Sequence, residues 1–381
     1  MFNIAILGLG DFENWNNQKS LSLGGASGVI KSILPYLSAD KIYLMGITSN
    51  KKNLYKEISF STNISIVPIA FVPRVSTIPI RFHAFFYCRK INSILRKYNI
   101  QSVYSHAEEI SFWIKPGLTI LYHMHGSTNA LVKAKKKLFR NKLFQKFWMY
   151  IRVKNIKKAT KIIAIDPLCY NITQKNNAGE KTILLPNFVD TKVFYRDNTK
   201  SKLLENITQK ILLFIGRLEE VKGLELYVDT LLEMNKREPG MWKGVLVGRG
   251  TYEPIIKKYI NDASANNLFY FTGPVFEQDE LRRIYNTATV LMISSYFEGI
   301  PMVVLESLAS GTPVISTNVG GIKDLIADEE TCFVNDLRDP VEFGNLIQLI
   351  QNKAGLFPLK TKFSSSNAAI LINEILKSSC R

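Results

Sequence analysis

Residues 210–223 read KILLFIGRLEEVKG, and the fold is decided by how that stretch is taken. Its first half, KILLFI, is apolar on both alternating faces, as in a strand covered on both sides by helices. Gly216 ends the run, and a helix can start after Gly223. Arg217 and Lys222 then stand five residues apart between a strand end and a helix start. From there both can reach one anionic group, Arg217 with a bidentate fork and Lys222 as a point charge. The helix N-terminus adds its own field, and a diphosphate is a natural guest. Taken alone, the same residues also fit two solvated bases in a turn.

Working outward, apolar runs alternate with helical stretches along the whole chain. Asn3–Gly8, Lys41–Ile47, Ser102–Tyr104, Leu118–His123 and Lys161–Ile165 read as strands in the first half. In the second half the strands are Lys210–Gly216, Gly244–Val247, Leu268–Thr272, Val290–Ser294 and Thr312–Ser316. This alternation predicts an α/β protein with two doubly wound parallel sheets. The Pro- and Asn-punctuated LLPNFVD, Leu184–Asp190, and the polar 196–209 stretch mark the linker. The expected organisation is an N-terminal domain, 1–186, a C-terminal domain, 187–362, and a closing segment, 363–381. Ligands of open α/β sheets bind beyond the carboxyl ends of the strands, so the motifs should converge in a cleft between the two sheets.

A second constellation follows the first. Ser294-Ser295-Tyr296-Phe297-Glu298-Gly299-Ile300-Pro301 leads into a helix carrying Glu306. Glu298 is expected in the loop and Glu306 two turns on, along the same helix face. Backbone N–H groups after Gly299 are free to meet a sugar or phosphate, and a carboxylate such as Glu306 can accept two hydroxyls of a ribose diol.

The chain has a net charge of +17, distributed unevenly. Residues 1–165 hold 25 Lys/Arg and six acids, whereas the remainder is nearly balanced. The segment Val132–Lys161, VKAKKKLFRNKLFQKFWMYIRVKNIKKATK, has no acid. At helical spacing Leu138, Leu143, Phe147 and Ile151 fall on one broad side with lysines around the rest, which suits an anionic membrane surface. A core-packing helix with a solvated lysine face shares much of this pattern. No nucleic-acid motif accompanies the charge, so a nucleic-acid partner is not expected. No run of about 18 apolar residues is present to span a bilayer, and MFNIAILGLG lacks the basic start of a secretory signal. The four cysteines form no CxxC pair and suit a reduced, cytoplasmic protein.

Together these residues resemble family 4 of the retaining glycosyltransferases, enzymes of the GT-B architecture with two Rossmann-like domains facing across a cleft. The resemblance runs through Gly24-Gly25-Ala26-Ser27, His125-Gly126, Pro186–Asp190, the GRLEEVKG segment, Val247–Gly250, Phe271–Gly273 and the pair Glu298/Glu306. It implies roles position by position. Arg217 and Lys222 would neutralise the donor diphosphate, and Glu306 would hold the ribose. Glu298 would contact the donor sugar beside Gly299, Ile300 and Pro301, and His125 would bond the transferred sugar. Gly24, Gly25, Gly216 and Gly248 would let backbone approach the donor. The implied activity is sugar transfer from a nucleotide sugar, UDP before GDP, with no metal and no protein nucleophile. The acceptor implied is a glycolipid or oligosaccharide of bacterial surface-polysaccharide assembly, such as lipopolysaccharide, O-antigen or capsule. The protein would lie peripherally on the inner face of the cytoplasmic membrane. Phe188 stands where the family has glycine, and Ser307 where it has alanine.

Other readings fit less well. Gly8-Leu9-Gly10 opens a GxGxxG, but position 13 is Glu13, against a nicotinamide site. No Asp-x-Asp is present for a metal-dependent transferase. His123 and His125 share a strand face, yet no third His or Cys is near them in sequence, so no metal site is expected. His83 and His106 carry no motif. A nucleotide-sugar epimerase on the same fold, or a non-catalytic nucleotide-sugar or membrane-surface binding protein, remain alternatives that transfer to a second molecule would separate.

Overall fold

The computed structural model describes residues 2–15, 25–76, 78–126, 142–322, 332–352 and 361–378. They belong to two compact units, Met1–Pro186 with Ser365–Arg381, and Asn187–Ser364. The first unit holds β1 (Asn3–Leu7), β2 (Lys41–Thr48), β3 (Ile58–Ser59), β4 (Ile64–Phe71), β5 (Ile100–Ser105), β6 (Thr119–Met124), β7 (Lys161–Ala164) and β8 (Thr182–Leu184). Their order in the sheet is β3-β4-β2-β1-β5-β6-β7-β8, with only the β3/β4 pair antiparallel. The strand order therefore reverses between β1 and β5.

The second unit is the simpler one. β9 (Lys210–Ile215), β10 (Trp242–Val247), β11 (Phe269–Gly273), β12 (Val290–Ile293), β13 (Val314–Thr317) and β14 (Cys332–Asn335) form one sheet, ordered β11-β10-β9-β12-β13-β14. Every pairing is parallel. This is the doubly wound order of a Rossmann domain, and its switch point lies between β9 and β12. The helix Leu224–Arg237 covers one face, burying Leu224, Tyr227, Val228, Leu231 and Met234. The buried Tyr227 hydroxyl is satisfied by the Leu212 carbonyl at 2.7 Å and reaches that of Val245 at 3.2 Å.

Four strands, β3, β4, β8 and β14, were not read from the sequence. β4 (ISIVPIAF) carries Pro68, which argues against an interior strand because proline lacks the ladder N–H. The register against β2 shifts after Gly46, which pairs with Pro68, so the proline falls at an irregularity that tolerates it. β8 is only three residues long and borders the linker. After β1 the chain makes a 3-10 turn, Phe12–Asn14, not the α-helix that a dinucleotide fingerprint requires. The closing helix Ser365–Lys377 lies in the first unit, where Ser102 Oγ donates to the Leu376 carbonyl at 2.6 Å and Asn373 Nδ2 to that of Tyr36 at 2.9 Å.

The basic helix is rotated from its expected setting. Of Val132–Lys161, residues 132–141, with Lys135, Lys136, Lys137 and Leu138, lie outside the described residues. The helix Lys142–Lys158 buries Trp148, Ile151, Arg152, Asn155 and Ile156, and exposes Leu143 and Phe147. The reason is Glu108, in the short helix Glu108–Ser111 and only 6% exposed. Its carboxylate accepts from Trp148 Nε1 at 3.0 Å, Arg152 Nε at 3.0 Å, Arg152 Nη2 at 3.1 Å and Tyr122 Oη at 3.0 Å. Asn155 Nδ2 donates to the Glu108 carbonyl at 2.8 Å. A buried carboxylate has to be satisfied in this way, and the demand turns a polar stripe inward. Lys158 is no solvated lysine either, because its Nζ donates to the carbonyls of Ser111, Phe112 and Ile114 at 3.0, 2.6 and 2.9 Å. Burial pushes its pKa down to about 8.

Candidate functional site

In the second unit the loops after β9 and β12 meet at the switch point. Gly223 follows a 3-10 turn, Glu220–Lys222, with φ +57°. A Cβ there would run into the Ser294 carbonyl and the Arg338 guanidinium, so the turn requires glycine. Ser294 Oγ donates to the Lys222 carbonyl at 2.8 Å, and Tyr296 N donates to the Val221 carbonyl at 2.8 Å. These bonds stitch the two strand-end loops together. Across the seam Lys222 Nζ pairs with Glu298, and Ser295 Oγ donates to the same carboxylate oxygen at 2.7 Å. Arg217, directly after Gly216 at the end of β9, is exposed.

A second glycine is fixed by close approach. Gly248 has φ +139°, and a Cβ on it would overlap the Gly216 carbonyl. Gly248 N donates to the Gly273 carbonyl at 2.9 Å, and Gly216 N to that of Val247 at 3.0 Å. The ends of β9, β10 and β11 are thus held at one level.

Glu298 and Glu306 do not share a helix face. The helix runs Met302–Ala309, so Glu298 lies in the loop before it and turns to Lys222. Proline at 301 sets this start by fixing φ, here −67°. Glu306 Oε2 accepts from the Tyr285 hydroxyl at 2.8 Å. Ile300 is buried, and its carbonyl accepts from Asn187 Nδ2 at 2.7 Å. The structure therefore gathers Lys222, Glu298 and Ser295 at the switch point, and gives Glu306 a separate partner. Ser295 was missed, although its place three residues before Glu298 was a usable signal.

In the first unit His125 follows β6 directly and is half-buried. Its Nε2 lies 2.6 Å from Nδ1 of His106, which follows β5. His106 N donates to the Leu7 carbonyl at 2.8 Å, so His106 stands at this unit's own switch point. That position at a strand end, not any motif, was the signal for it. His123 Nδ1 is 2.8 Å from the Tyr104 hydroxyl. Burial, the leading cause for each, lowers the pKa of all three imidazoles, that of His125 to about 3. Gly24 lies outside the described residues, while Gly25 opens the helix Gly25–Ile33 and is exposed, with no atom of the described residues within 4 Å of where a Cβ would stand. Cys88 and Cys169 are free and buried.

Residues 209–352 match the family described as glycosyl transferases group 1. The D-inositol 3-phosphate glycosyltransferase of Acidothermus cellulolyticus is 30% identical over 175 residues, which is 43% of this chain and 39% of that protein. The chain thus spans about two fifths of the length of that relative. Sucrose-phosphate synthase from Thermosynechococcus elongatus superposes with a TM-score of 0.69 at 16% identity, over 99% of this chain and 94% of the other. Anabaena HepE in complex with UDP-glucose gives 0.65 at 16% identity over 100% and 98%. The lipopolysaccharide outer core galactosyltransferase WaaB gives 0.58 at 16% over 97% and 99%. The chain carries, over residues 209–352, a domain of the glycosyl transferases group 1 family, and its two parallel-sheet α/β units have the GT-B fold.

Proposed function

We propose that this protein is a retaining glycosyltransferase that moves a sugar from a UDP-sugar to a membrane-held glycolipid or oligosaccharide during assembly of a bacterial surface polysaccharide. The observation that carries the reading is the Lys222–Glu298–Ser295 cluster at the β9/β12 switch point, inside the matched family segment. A nucleoside diphosphate bound beyond these strands meets Lys222 and Arg217 with its phosphates. Glu298 is released from Lys222 to the donor sugar, and Glu306 takes the ribose hydroxyls. As the bond from the anomeric carbon to the diphosphate oxygen breaks, Arg217 and Lys222 stabilise the growing negative charge without a metal. The acceptor oxygen bonds the anomeric carbon on the same face, and the leaving phosphate takes the acceptor's proton. The UDP-glucose complex of HepE and the lipopolysaccharide galactosyltransferase WaaB, both of like fold, support the donor and acceptor classes.

The membrane part of the reading rests on charge and exposure in the first unit. Between Glu57 and Asp166 the sequence has two acids, Glu108 and Glu109, and both are buried. Outward on the Lys142–Lys158 helix, Leu143, Phe147 and Tyr150 alternate with Lys142, Lys146, Lys154 and Lys157, all exposed. Phe86, also exposed, continues the surface, because the Phe85 ring lies 5.5 Å from Phe86 and 5.7 Å from Phe147. Aromatics interleaved with lysines suit the interface of an anionic bilayer. Among the described residues no helix is long and apolar enough to cross a membrane.

Thermal unfolding with a panel of nucleotides tests the donor assignment. UDP at about 100-fold over its Kd should stabilise the protein by roughly 2.7 kcal/mol, and Lys222→Ala should remove the shift. A panel without any stabilising nucleotide would overturn the reading. Vesicle sedimentation tests the surface: Phe147→Ser with Tyr150→Ser should release the protein from anionic vesicles and leave nucleotide binding unchanged, and undiminished sedimentation would exclude this face.

A further inference from the structure

We propose that His106, His123 and His125 form a binding site for a divalent transition-metal ion such as Zn²⁺. His123 lies in β6 and His125 directly follows that strand, with their rings stacked at 4.3 Å between centroids. β5 lies beside β6 with Ser105 paired to Tyr122, which brings the next residue, His106, level with His123. Two histidines from one strand and a third from its parallel neighbour thus converge, with one ring nitrogen of each within 4.8 Å of the others.

Metal–nitrogen bonds of about 2.0–2.1 Å put tetrahedral ligand atoms roughly 3.4 Å apart. The present separations bracket that value, since His106 Nδ1 and His125 Nε2 are hydrogen-bonded at 2.6 Å and the widest spacing is 4.8 Å. The rings lie 15–37° from parallel, so binding needs each to turn about its Cβ–Cγ bond while the backbone stays in place. An ion then replaces the His106–His125 hydrogen bond.

The surroundings favour the ion. The Tyr104 hydroxyl, 2.8 Å from His123 Nδ1, is the type of outer partner that fixes a ligating imidazole. Three imidazoles without a carboxylate select Zn²⁺, Co²⁺, Ni²⁺ or Cu²⁺ over Mg²⁺ or Ca²⁺. This site is therefore distinct in kind from a Mg²⁺ carried by a diphosphate. One consequence rests on the transferase reading: an ion that engages His125 takes it away from the transferred sugar, so Zn²⁺ inhibits.

The test uses the full chain stripped by a chelator and titrated with Co²⁺ in visible absorption and with Zn²⁺ in calorimetry. One ion per chain is expected, with a tetrahedral Co²⁺ spectrum free of thiolate charge transfer and no competition from Mg²⁺. His106→Asn should weaken binding at least tenfold and Tyr104→Phe about tenfold, while His83→Asn changes nothing. Absence of saturable binding at one ion per chain, a thiolate charge-transfer band, or unaltered affinity in His106→Asn overturns the proposal. If His106→Asn does not fold, the wild-type spectrum and Tyr104→Phe still decide it. Stoichiometric binding without inhibition of transfer would uphold the site and remove His125 from the sugar.

Discussion

Replacing Glu108 by glutamine should destabilise the first unit by about 3 kcal/mol, because every neighbour of that carboxylate is a donor. Trp148, Tyr122 and Arg152 together direct four N–H or O–H groups at its two oxygens. An amide of the same shape turns one acceptor into two donors facing donors, and leaves Arg152, with its side chain 8% exposed, short of its counter-charge. Burial works against ionisation, but Arg152 and then Arg81 outweigh it and hold the Glu108 carboxyl at about 2 against an ordinary 4.5. That difference is worth about 3 kcal/mol, within the range of 3–5 kcal/mol for losing one partner of a buried pair. Glu109 beside it goes the other way, its carboxyl raised by burial although Arg81 Nη1 lies 3.0 Å from it. For a unit of this size the midpoint should fall by roughly 6–12 °C.

The pH dependence follows from the sign of the Glu108 shift. Its folded pKa lies below the unfolded one, so the stabilisation is complete above about 4.5 and lost as pH falls towards 2. Calorimetric melts of wild type and Glu108→Gln should therefore differ at pH 7 and converge near pH 2. A gap under about 1 kcal/mol at pH 7, or one of equal size at pH 3 and pH 7, would refute the reasoning.

Two further outcomes follow from the second unit. Lys222→Ala should lower kcat about 10²- to 10³-fold, the usual cost of one preorganised charge donor, with the thermal midpoint little changed; steady-state kinetics with equal activity would remove Lys222 from the reaction. Gly248→Ala should cost about 1–3 kcal/mol, because its φ is positive and its Cβ meets the Gly216 carbonyl. It should also weaken nucleotide binding, and an unaltered melt with full affinity would contradict that.

Most of the strands were legible because parallel sheets covered on both faces leave continuous apolar runs such as KILLFI and VLMI. What hid was set by tertiary context. Pro68 masked β4, since its tolerance depends on a register shift against a distant strand. The facing of the Lys142–Lys158 helix was misjudged because hydrophobic spacing cannot reveal that Glu108, more than 30 residues earlier, draws Arg152 and Trp148 inward. In the site, the GRLEEVKG and Glu298 segments were visible as motifs, and the structure adds that Lys222 and Glu298 pair. Glu298 lies in the loop and Glu306 on the helix as expected, but the first turns to Lys222 and the second to Tyr285, so they do not share the expected face. The histidine cluster was invisible because its third member comes from a neighbouring strand with 16 residues between His106 and His123.

The most direct test is to incubate the protein and Lys222→Ala with labelled UDP-sugars and bacterial membrane lipid, in the presence of a chelator, and to read the product's anomeric configuration by NMR. The account predicts label in lipid with the donor's α configuration retained, from the wild type alone. Donor that is only epimerised, is bound without turnover, or is transferred equally well by Lys222→Ala would contradict it.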